Sequence, residues 1–337
     1  MRATVRDVAT LAGVSPKTVS NVINGVIPVR PETRQRVEAA LAELDYVPNM
    51  SARGLRNGRS GNIALALPDL STPYSAELAR WFVELAHERG WAVQLEQSGN
   101  DPLRERELVS RARTHLVDGL VLNPTMLLGS AVAEDVELPP TVVIGEVEPS
   151  GIDQVHVDSL SAARDMTAYL LKRGHRRIAI VGASSDAFQS ATSFLREDGY
   201  QQALAAAGIA PDPALRVICR RWTAECAAVE FDRFLSEARE VPDAVFCFTD
   251  TMAIGVIHTL VAHGIRIPED MSVVGFDDIA EAAYTVPALT TVRFDKWAVA
   301  DAALTALERR IETRDAPPTV AVIPHTIIER ESVADRT

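Results

Sequence analysis

The spacing of the hydrophobic positions changes once along this chain, near residue 62. Before that point the apolar residues recur every three or four positions, which is the spacing of one face of an α-helix. After it, continuous apolar runs of strand length alternate with longer helical stretches, a pattern typical of parallel sheets covered on both faces. The pattern therefore predicts a small all-α N-terminal region followed by a doubly wound α/β core.

Three short helices are predicted in the N-terminal region. Thr4 begins a Ser/Thr-x-x-acid cap for the first helix, and Gly13 is suited to the tight turn after it. Ser15 is the N-cap of the second helix, whose first residue is a proline. A third helix is expected over residues 31–45. Two helices joined by a short turn and followed by a third describe a helix-turn-helix unit.

The core is predicted to consist of two similar lobes. The strand-like runs are residues 63–67, 92–95, 119–122, 142–144, 178–181, 245–248 and 272–276. The helical stretches lie near residues 75–89, 102–115, 160–173, 191–207, 224–238, 251–263 and 297–312. Segments 63–68 and 177–182 are alike and open the two lobes. Because such sheets bind ligands beyond the carboxyl ends of their strands, we expect a binding cleft between the lobes.

Charge is divided unevenly between these two parts. The 337 residues carry a net charge of −12, but residues 1–59 hold nine Lys and Arg residues against five acids. A basic N-terminal region on an acidic core predicts that only the former meets a polyanion. No apolar run is long enough to cross a membrane, and the first residues do not resemble a signal peptide. A cytoplasmic protein without membrane contact is expected.

The residues that would carry metal or catalytic chemistry are scattered along the chain. Cys219, Cys226 and Cys247 lack the paired spacing of a zinc site or a disulfide framework, and the seven histidines show no paired spacing either. There is no glycine-rich dinucleotide or phosphate motif and no nucleophile elbow. We therefore expect no metal, no cofactor and a cleft that binds without catalysing a reaction.

The N-terminal region resembles the DNA-binding head of the lactose-repressor (LacI/GalR) family of bacterial transcription regulators. The matching segments are VRDVA (5–9), AGVS (12–15), TVSNVING (18–25), PETRQRV (31–37) and LDYVPN (44–49). The resemblance implies that the second helix enters the major groove of DNA and that its N-terminal residues reach base edges. It extends without gaps over the predicted DNA-binding domain, residues 1–48.

Matching by position gives the expected DNA contacts. Pro16, Lys17 and Asn21 would face base edges, where asparagine can pair with adenine. The remaining expected contacts, several of them to phosphates, are Thr4, Ser15, Thr18, Ser20, Asn24, Asn49, Arg53 and Leu55. Relatives often carry a long basic residue at position 21, so a different operator preference is expected here. Arg30 replaces the usual Ser or Thr before the third helix, which predicts the loss of a side-chain cap.

Residues 49–61 resemble the hinge helix and linker of the same family. In relatives this segment forms a helix only on DNA, where a leucine wedges into the minor groove and kinks the duplex. Leu55 matches that leucine. Gly54 before it lowers helix propensity by about 1 kcal/mol, so the hinge is expected to be unfolded without DNA.

The core, residues 62–337, resembles the periplasmic-binding-protein-like effector and dimerisation core of the family. The matching segments are TPY (72–74), VDGL (117–120), GHRRIA (174–179), TDTMAIG (249–255), VVGFDD (273–278) and PALTTV (287–292). The resemblance implies three crossings between the lobes, near residues 160, 291 and 323. Lobe 1 would span about residues 62–159 and 292–322, and lobe 2 about 160–291 and 323–333.

The same resemblance implies an effector site in the cleft. Asp277 matches an aspartate that accepts hydrogen bonds from sugar hydroxyls, Arg196 a forked donor, and Trp222 an aromatic face for a sugar ring. The other expected contacts are Tyr74, Ser75, Thr192, Thr249 and Asp250. Asp250 has an alternative role as the cap of the next helix.

The sequence therefore predicts a transcription regulator, a repressor in its simplest form, that binds operator DNA as a homodimer. A small molecule, a sugar or a related metabolite, would control it from the cleft. The rival hypothesis is a sugar-binding or sugar-processing protein whose N-terminal region mediates only protein contacts. Relatives that form tetramers carry a further leucine-rich helix at the C-terminus, which this sequence lacks, so a dimer is expected.

Overall fold

The computed structural model describes residues 3–24, 27–46, 59–99, 101–113, 117–124, 130, 132, 138–146, 151–185 and 190–337. The chain forms two compact units, Met1–Ser60 and Gly61–Thr337, which we name the head and the core. Among the described residues, no helix has the length and apolar character needed to cross a membrane.

The head contains the predicted three helices. They are α1 (Val5–Ala12), α2 (Pro16–Asn24) and α3 (Pro31–Glu43). Val8, Val19 and Val37, one from each helix, are fully buried against one another in a small core. Gly13 ends α1 with φ +62°, a left-handed conformation that glycine adopts without strain. The predicted helix-turn-helix unit is confirmed.

Local hydrogen bonds explain where these helices begin and end. Ser15 caps α2, because its Oγ accepts from the backbone N–H of Thr18 at 3.1 Å. Arg30 gives α3 no side-chain cap, as predicted. Helix α3 ends at Glu43, earlier than predicted, and Asp45 takes a left-handed φ of +43°.

In the part of the core that the structure describes there are two six-stranded sheets, one in each lobe. Lobe 1 has the order β11 (Val320–Ile323), β5 (Asp153–Val157), β4 (Thr141–Ile144), β3 (Gly119–Leu122), β1 (Asn62–Leu67) and β2 (Ala92–Gln97). Lobe 2 has the order β12 (His325–Ile328), β10 (Thr290–Phe294), β9 (Ser272–Phe276), β8 (Ala244–Cys247), β6 (Ile178–Ala183) and β7 (Arg216–Ile218). All neighbouring strands are parallel except β10 and β12, so the expectation of purely parallel sheets is wrong at one edge.

Each central strand is buried on both faces, as in β6, because helices cover both faces of each sheet. Lobe 1 carries α4 (Pro73–Glu88), α5 (Pro102–Arg113) and α10 (Lys296–Glu312). Lobe 2 carries α6 (Ser159–Lys172), α7 (Ala191–Ala206), α8 (Ala224–Glu237) and α9 (Asp250–Ala262). The predicted fold class, an all-α N-terminal head followed in the chain by two doubly wound lobes, is confirmed.

The chain crosses between the lobes after β5, after β10 and after β11. The second lobe 1 segment was expected from about residue 292, but β10 continues in the lobe 2 sheet to Phe294, which pairs with His325. Ile323 was also expected in lobe 2, but it is the last residue of β11 in lobe 1. The third crossing therefore falls at Pro324.

The carboxyl ends of several strands from both sheets face one another between the lobes. Residues that follow β1, β4, β8 and β9 all line a single cavity between the lobes: Pro68, Gly145, Thr249 and Asp277. This is the position in which doubly wound sheets bind ligands.

Candidate functional site

The candidate DNA-contacting face of the head is the outer side of α2. Val19 and Val22 turn inward and are buried. The residues predicted to contact DNA from this region are Ser15, Pro16, Lys17, Thr18, Ser20 and Asn21, all exposed or half-buried. Lys17 is exposed and has no ion-pair partner among the described residues. The start of α2 therefore presents a cation and polar groups to solvent.

Three of the predicted hydroxyl contacts also form hydrogen bonds at the helix starts. Ser15 Oγ and Thr18 Oγ1 lie 2.9 Å apart and share a hydrogen bond. Thr4 Oγ1 donates to Asp7 Oδ2 at 2.7 Å within a capping box, and this bond lowers the pKa of Asp7. These caps satisfy the backbone N–H groups of Asp7 and Thr18 within the head.

The remaining predicted DNA contacts fall outside the described residues. They are the side chain of Asn24 and the hinge residues Asn49, Arg53 and Leu55. The hinge helix therefore stays a prediction from the sequence.

The core holds a cavity of about 320 Å³ between the lobes. Seven of the eight predicted effector residues line it: Tyr74, Ser75, Thr192, Arg196, Trp222, Thr249 and Asp277. They come from the start of α4 in lobe 1 and from four separate segments of lobe 2. The structure thus gathers residues that lie far apart in the sequence into one site.

Asp250, the eighth predicted residue, does not line the cavity. It is fully buried, and its carboxyl accepts hydrogen bonds from Thr291 Oγ1 at 2.6 Å and from the backbone N–H of Ile279 at 3.0 Å. Burial raises the pKa of Asp250 well above its ordinary value. Thr249, not Asp250, is the side-chain cap of α9. Asp250 is therefore neither a cavity residue nor the cap of α9. Its carboxyl instead holds the loop after β9 through the backbone N–H of Ile279.

Arg196 is held rigidly at the cavity wall. Its guanidinium lies 3.4 Å above the ring of Phe276 and donates from Nη1 to the carbonyl of Phe248. Its Nη2 is 4.0 Å from Asp277 Oδ1. Buried Arg196 Nε and Trp222 Nε1 have no hydrogen-bond partner among the described residues. Because an unpaired buried donor is costly, these two N–H groups are available to a ligand.

Asp277 supplies the acidic side of the same wall. Burial raises the pKa of Asp277 to about 7, although the nearby cations Arg196 and Lys296 oppose the shift. Its backbone has φ +108° and that of Asp278 has φ +47°, conformations that non-glycine residues rarely adopt. A carboxyl in this position exchanges its proton near neutral pH and can accept hydrogen bonds from a ligand once ionised.

Lobe 1 contributes polar residues to the cavity that the sequence did not single out. They are Asp69, Gln97, Asn123, Glu146 and His156. Glu146 Oε1 lies 3.4 Å from His156 Nδ1, and this hydrogen bond raises the pKa of His156. Asn123 and Glu146 follow β3 and β4 closely, so a search of strand ends would have found them. His156 lies inside β5, a strand that the apolar pattern did not predict.

Aromatic rings form the apolar part of the cavity. Tyr74 and Phe294 pack edge to face with centroids 6.2 Å apart, and Trp222 lines the lobe 2 side. Flat apolar faces beside hydrogen-bonding groups suit a ring that carries hydroxyl or amide groups. Among the described residues, no group of three or more His, Cys, Asp or Glu side chains could hold a metal ion.

Comparison with known proteins gives the family. Residues 4–49 match the profile of bacterial regulatory proteins of the lacI family, and residues 167–333 match that of a periplasmic binding protein-like domain. The chain is 33% identical over 334 residues to the HTH-type transcriptional repressor PurR of Vibrio atlanticus (strain LGP32), covering 98% of both proteins. It is 32% identical to the repressor CytR of Escherichia coli (strain K12), covering 90% of this chain and 89% of that protein. The chain belongs to the lacI family of bacterial regulatory proteins.

Solved structures agree with this assignment. The lac repressor dimer bound to operator and the anti-inducer ONPF matches with a TM-score of 0.86 and 25% identity, over 99% of this chain and all of that one. The complex of the transcriptional regulator CelR with cellobiose matches with a TM-score of 0.72 and 30% identity, over 98% of this chain and 100% of that one. The predicted family resemblance is confirmed over both the head and the core.

The exposed face of α2 generates a prediction about base recognition. Replacing Asn21 by alanine should relax the preference at one position of each half-site by about 1–3 kcal/mol, because a base-specific pair is lost. Ser15→Ala should instead weaken binding to all sequences alike. Selection of binding sites from random DNA, followed by affinities for single-base variants at fixed salt, measures both. Uniform weakening by Asn21→Ala would place Asn21 among the phosphate contacts.

The raised pKa of Asp277 generates a second prediction. A carboxyl with a folded-state pKa of about 7 binds a proton that the unfolded chain has released above about pH 4. Its contribution to stability is therefore lost as the pH rises from about 4 to about 7. The melting temperature of ligand-free Asp277→Asn relative to the parent should increase across this range and then level off. Asp198→Asn, a substitution on α7 outside the cavity, is the control; a parallel pH profile for both variants would contradict the assignment.

Proposed function

We propose that this protein is a sequence-specific transcription regulator, acting as a repressor, whose affinity for operator DNA is controlled by a small molecule bound between the lobes of the core. The observation that carries the proposal is one chain with both an exposed polar helix in a helix-turn-helix head and a buried cavity with unpaired donors. The head supplies DNA contact, and the cavity supplies ligand contact. Such a protein acts in the cytoplasm, where its DNA is.

The effector is a sugar or a related ring-shaped metabolite. Arg196 and Asp277 offer a forked donor and an acceptor on one wall, and Trp222 offers a flat face beside them. In lobe 1, Glu146 and His156 offer a second pair of polar groups. The CelR neighbour, which is bound to cellobiose, supports this ligand class.

The regulator acts as a homodimer on a near-palindromic operator. Tyr284 and Val286, in the loop between β9 and β10, are 84% and 86% exposed, so this loop offers apolar contact area to a partner chain. The lac repressor neighbour is a dimer bound to operator. Two-fold symmetry lets each head contact one half-site, while the hinge segments meet at the operator centre.

A sugar-processing enzyme is the second candidate, favoured by one observation. A buried carboxyl with a pKa of about 7, such as Asp277, is suited to general acid catalysis. The transcriptional repressors among the relatives favour regulation instead. Incubation of the protein with the sugars that it binds, followed by chromatography, distinguishes the two: a regulator returns its ligand unchanged.

The experiment that tests the proposed function separates the two sites. A thermal-shift screen of sugars and purines identifies the effector, since a ligand at 100 times its dissociation constant stabilises the protein by about 2.7 kcal/mol. Asp277→Ala should bind operator DNA normally but lose its response to that effector. Lys17→Ala should bind the effector normally but lose operator affinity. An Asp277→Ala protein that responds at parental effector concentrations would refute the site.

A further inference from the structure

The loop that carries Asp277 is anchored to its own lobe from two sides. Asp250 accepts a hydrogen bond from the backbone N–H of Ile279 at 3.0 Å. Arg330 donates from Nη2 to Asp278 Oδ1 at 2.6 Å. Both anchors come from lobe 2, so they fix the loop within the lobe but do not connect it to lobe 1.

Two side chains of lobe 1 bind the backbone of the same loop. Glu77, on α4, accepts from the N–H of Ala280 at 2.7 Å through Oε1. Lys296, the first residue of α10, donates from Nζ to the carbonyl of Asp277 at 2.6 Å and to that of Asp278 at 3.1 Å. Glu77 Oε2 lies 3.0 Å from Lys296 Nζ, which joins the two side chains in an ion pair. We name Glu77 and Lys296 the interlobe clasp.

Burial strengthens the ion pair and the hydrogen bonds of the interlobe clasp. The Lys296 side chain is 8% exposed and that of Glu77 is 25% exposed, so salt screens the pair much less than a surface pair. Removing one charge leaves the other partly buried without its partner, which is strongly destabilising for the contact. The clasp also holds the carbonyls of two residues with positive φ, a backbone conformation that needs external support.

We propose that the interlobe clasp couples the angle between the lobes to the direction of the Asp277 carboxyl. Glu77 and Lys296 do not line the cavity, so they are positioning residues and not ligand contacts. Lys296 lies just after the second crossing, so a rotation of α4 away from lobe 2 breaks the hydrogen bond of Glu77 to Ala280 and its ion pair with Lys296, or moves the loop. A ligand that binds Asp277 thereby acts on lobe 1 through the clasp, in addition to its direct contacts with Tyr74 and Ser75 at the start of α4. Only the role of Asp277 toward a ligand rests on the proposed function.

The test measures the distance between the lobes in the ligand-free, full-length protein. Spin labels are placed at the exposed positions Ser110 on α5 and Ser236 on α8, as cysteine variants in a Cys226→Ser background. Dilution with unlabelled chains leaves at most one labelled chain in a dimer. Glu77→Ala should lengthen and broaden the distance distribution obtained by double electron–electron resonance.

Two matched variants make the result specific to the clasp. Glu88→Ala removes an exposed glutamate from the end of the same helix and should leave the distribution unchanged. Glu77→Gln should give an intermediate distribution, because its amide oxygen still accepts from Ala280 while the ion pair with Lys296 is lost. This variant also decides the matter if Glu77→Ala does not fold.

The outcome does not depend on an effector, so it is distinguishable from failure of the proposed function. An unchanged distribution in folded Glu77→Ala or Glu77→Gln would overturn the clasp. So would a change of equal size in Glu88→Ala, because it would show a general response of α4 to substitution.

Discussion

Burial of polar groups at the carboxyl ends of two sheets is the constraint on which the core depends. Asp277 and Asp250 both lie at the end of the lobe 2 sheet, and burial raises the pKa of each. The chain satisfies Asp250 internally, through Thr291 and Ile279. It leaves Asp277 and Arg196 facing a cavity. One carboxyl thus stabilises the loop, and the other faces the cavity.

The loop after β9, which carries Asp277, also connects the cavity to both lobes. It is anchored to lobe 2 by Asp250 and Arg330 and to lobe 1 by the interlobe clasp. A ligand in the cavity therefore acts on a segment that both lobes hold. In a regulator, effector and DNA favour different arrangements of the same protein, and each must change the affinity for the other by the same factor.

The sequence predicts most of the fold because its central strands are continuous apolar runs. Strand β6 is buried along its whole length and was found on that ground. Five of the described strands were missed. Strands β5, β10 and β12 carry polar or charged residues among their apolar ones, and β7 has only three residues. Strand β11 was missed although its four residues are all apolar. Within the cavity, the family resemblance located seven residues, whereas Glu146 and His156 were missed. Asp250 was misassigned because the sequence does not show that Thr291 and Ile279 approach it. The contact between Glu77 and Lys296 joins positions far apart in the chain, and no local pattern predicts it.

Reciprocal linkage between the two sites is the central claim, and one set of affinities tests it most directly. The dissociation constant of the effector found in the sugar and purine screen is measured by calorimetry for the free protein and for the protein saturated with operator DNA. The operator affinity is then measured with and without saturating effector at the same salt concentration. The account predicts that both ratios are equal and differ from one. Equal effector affinities for free and DNA-bound protein would contradict it.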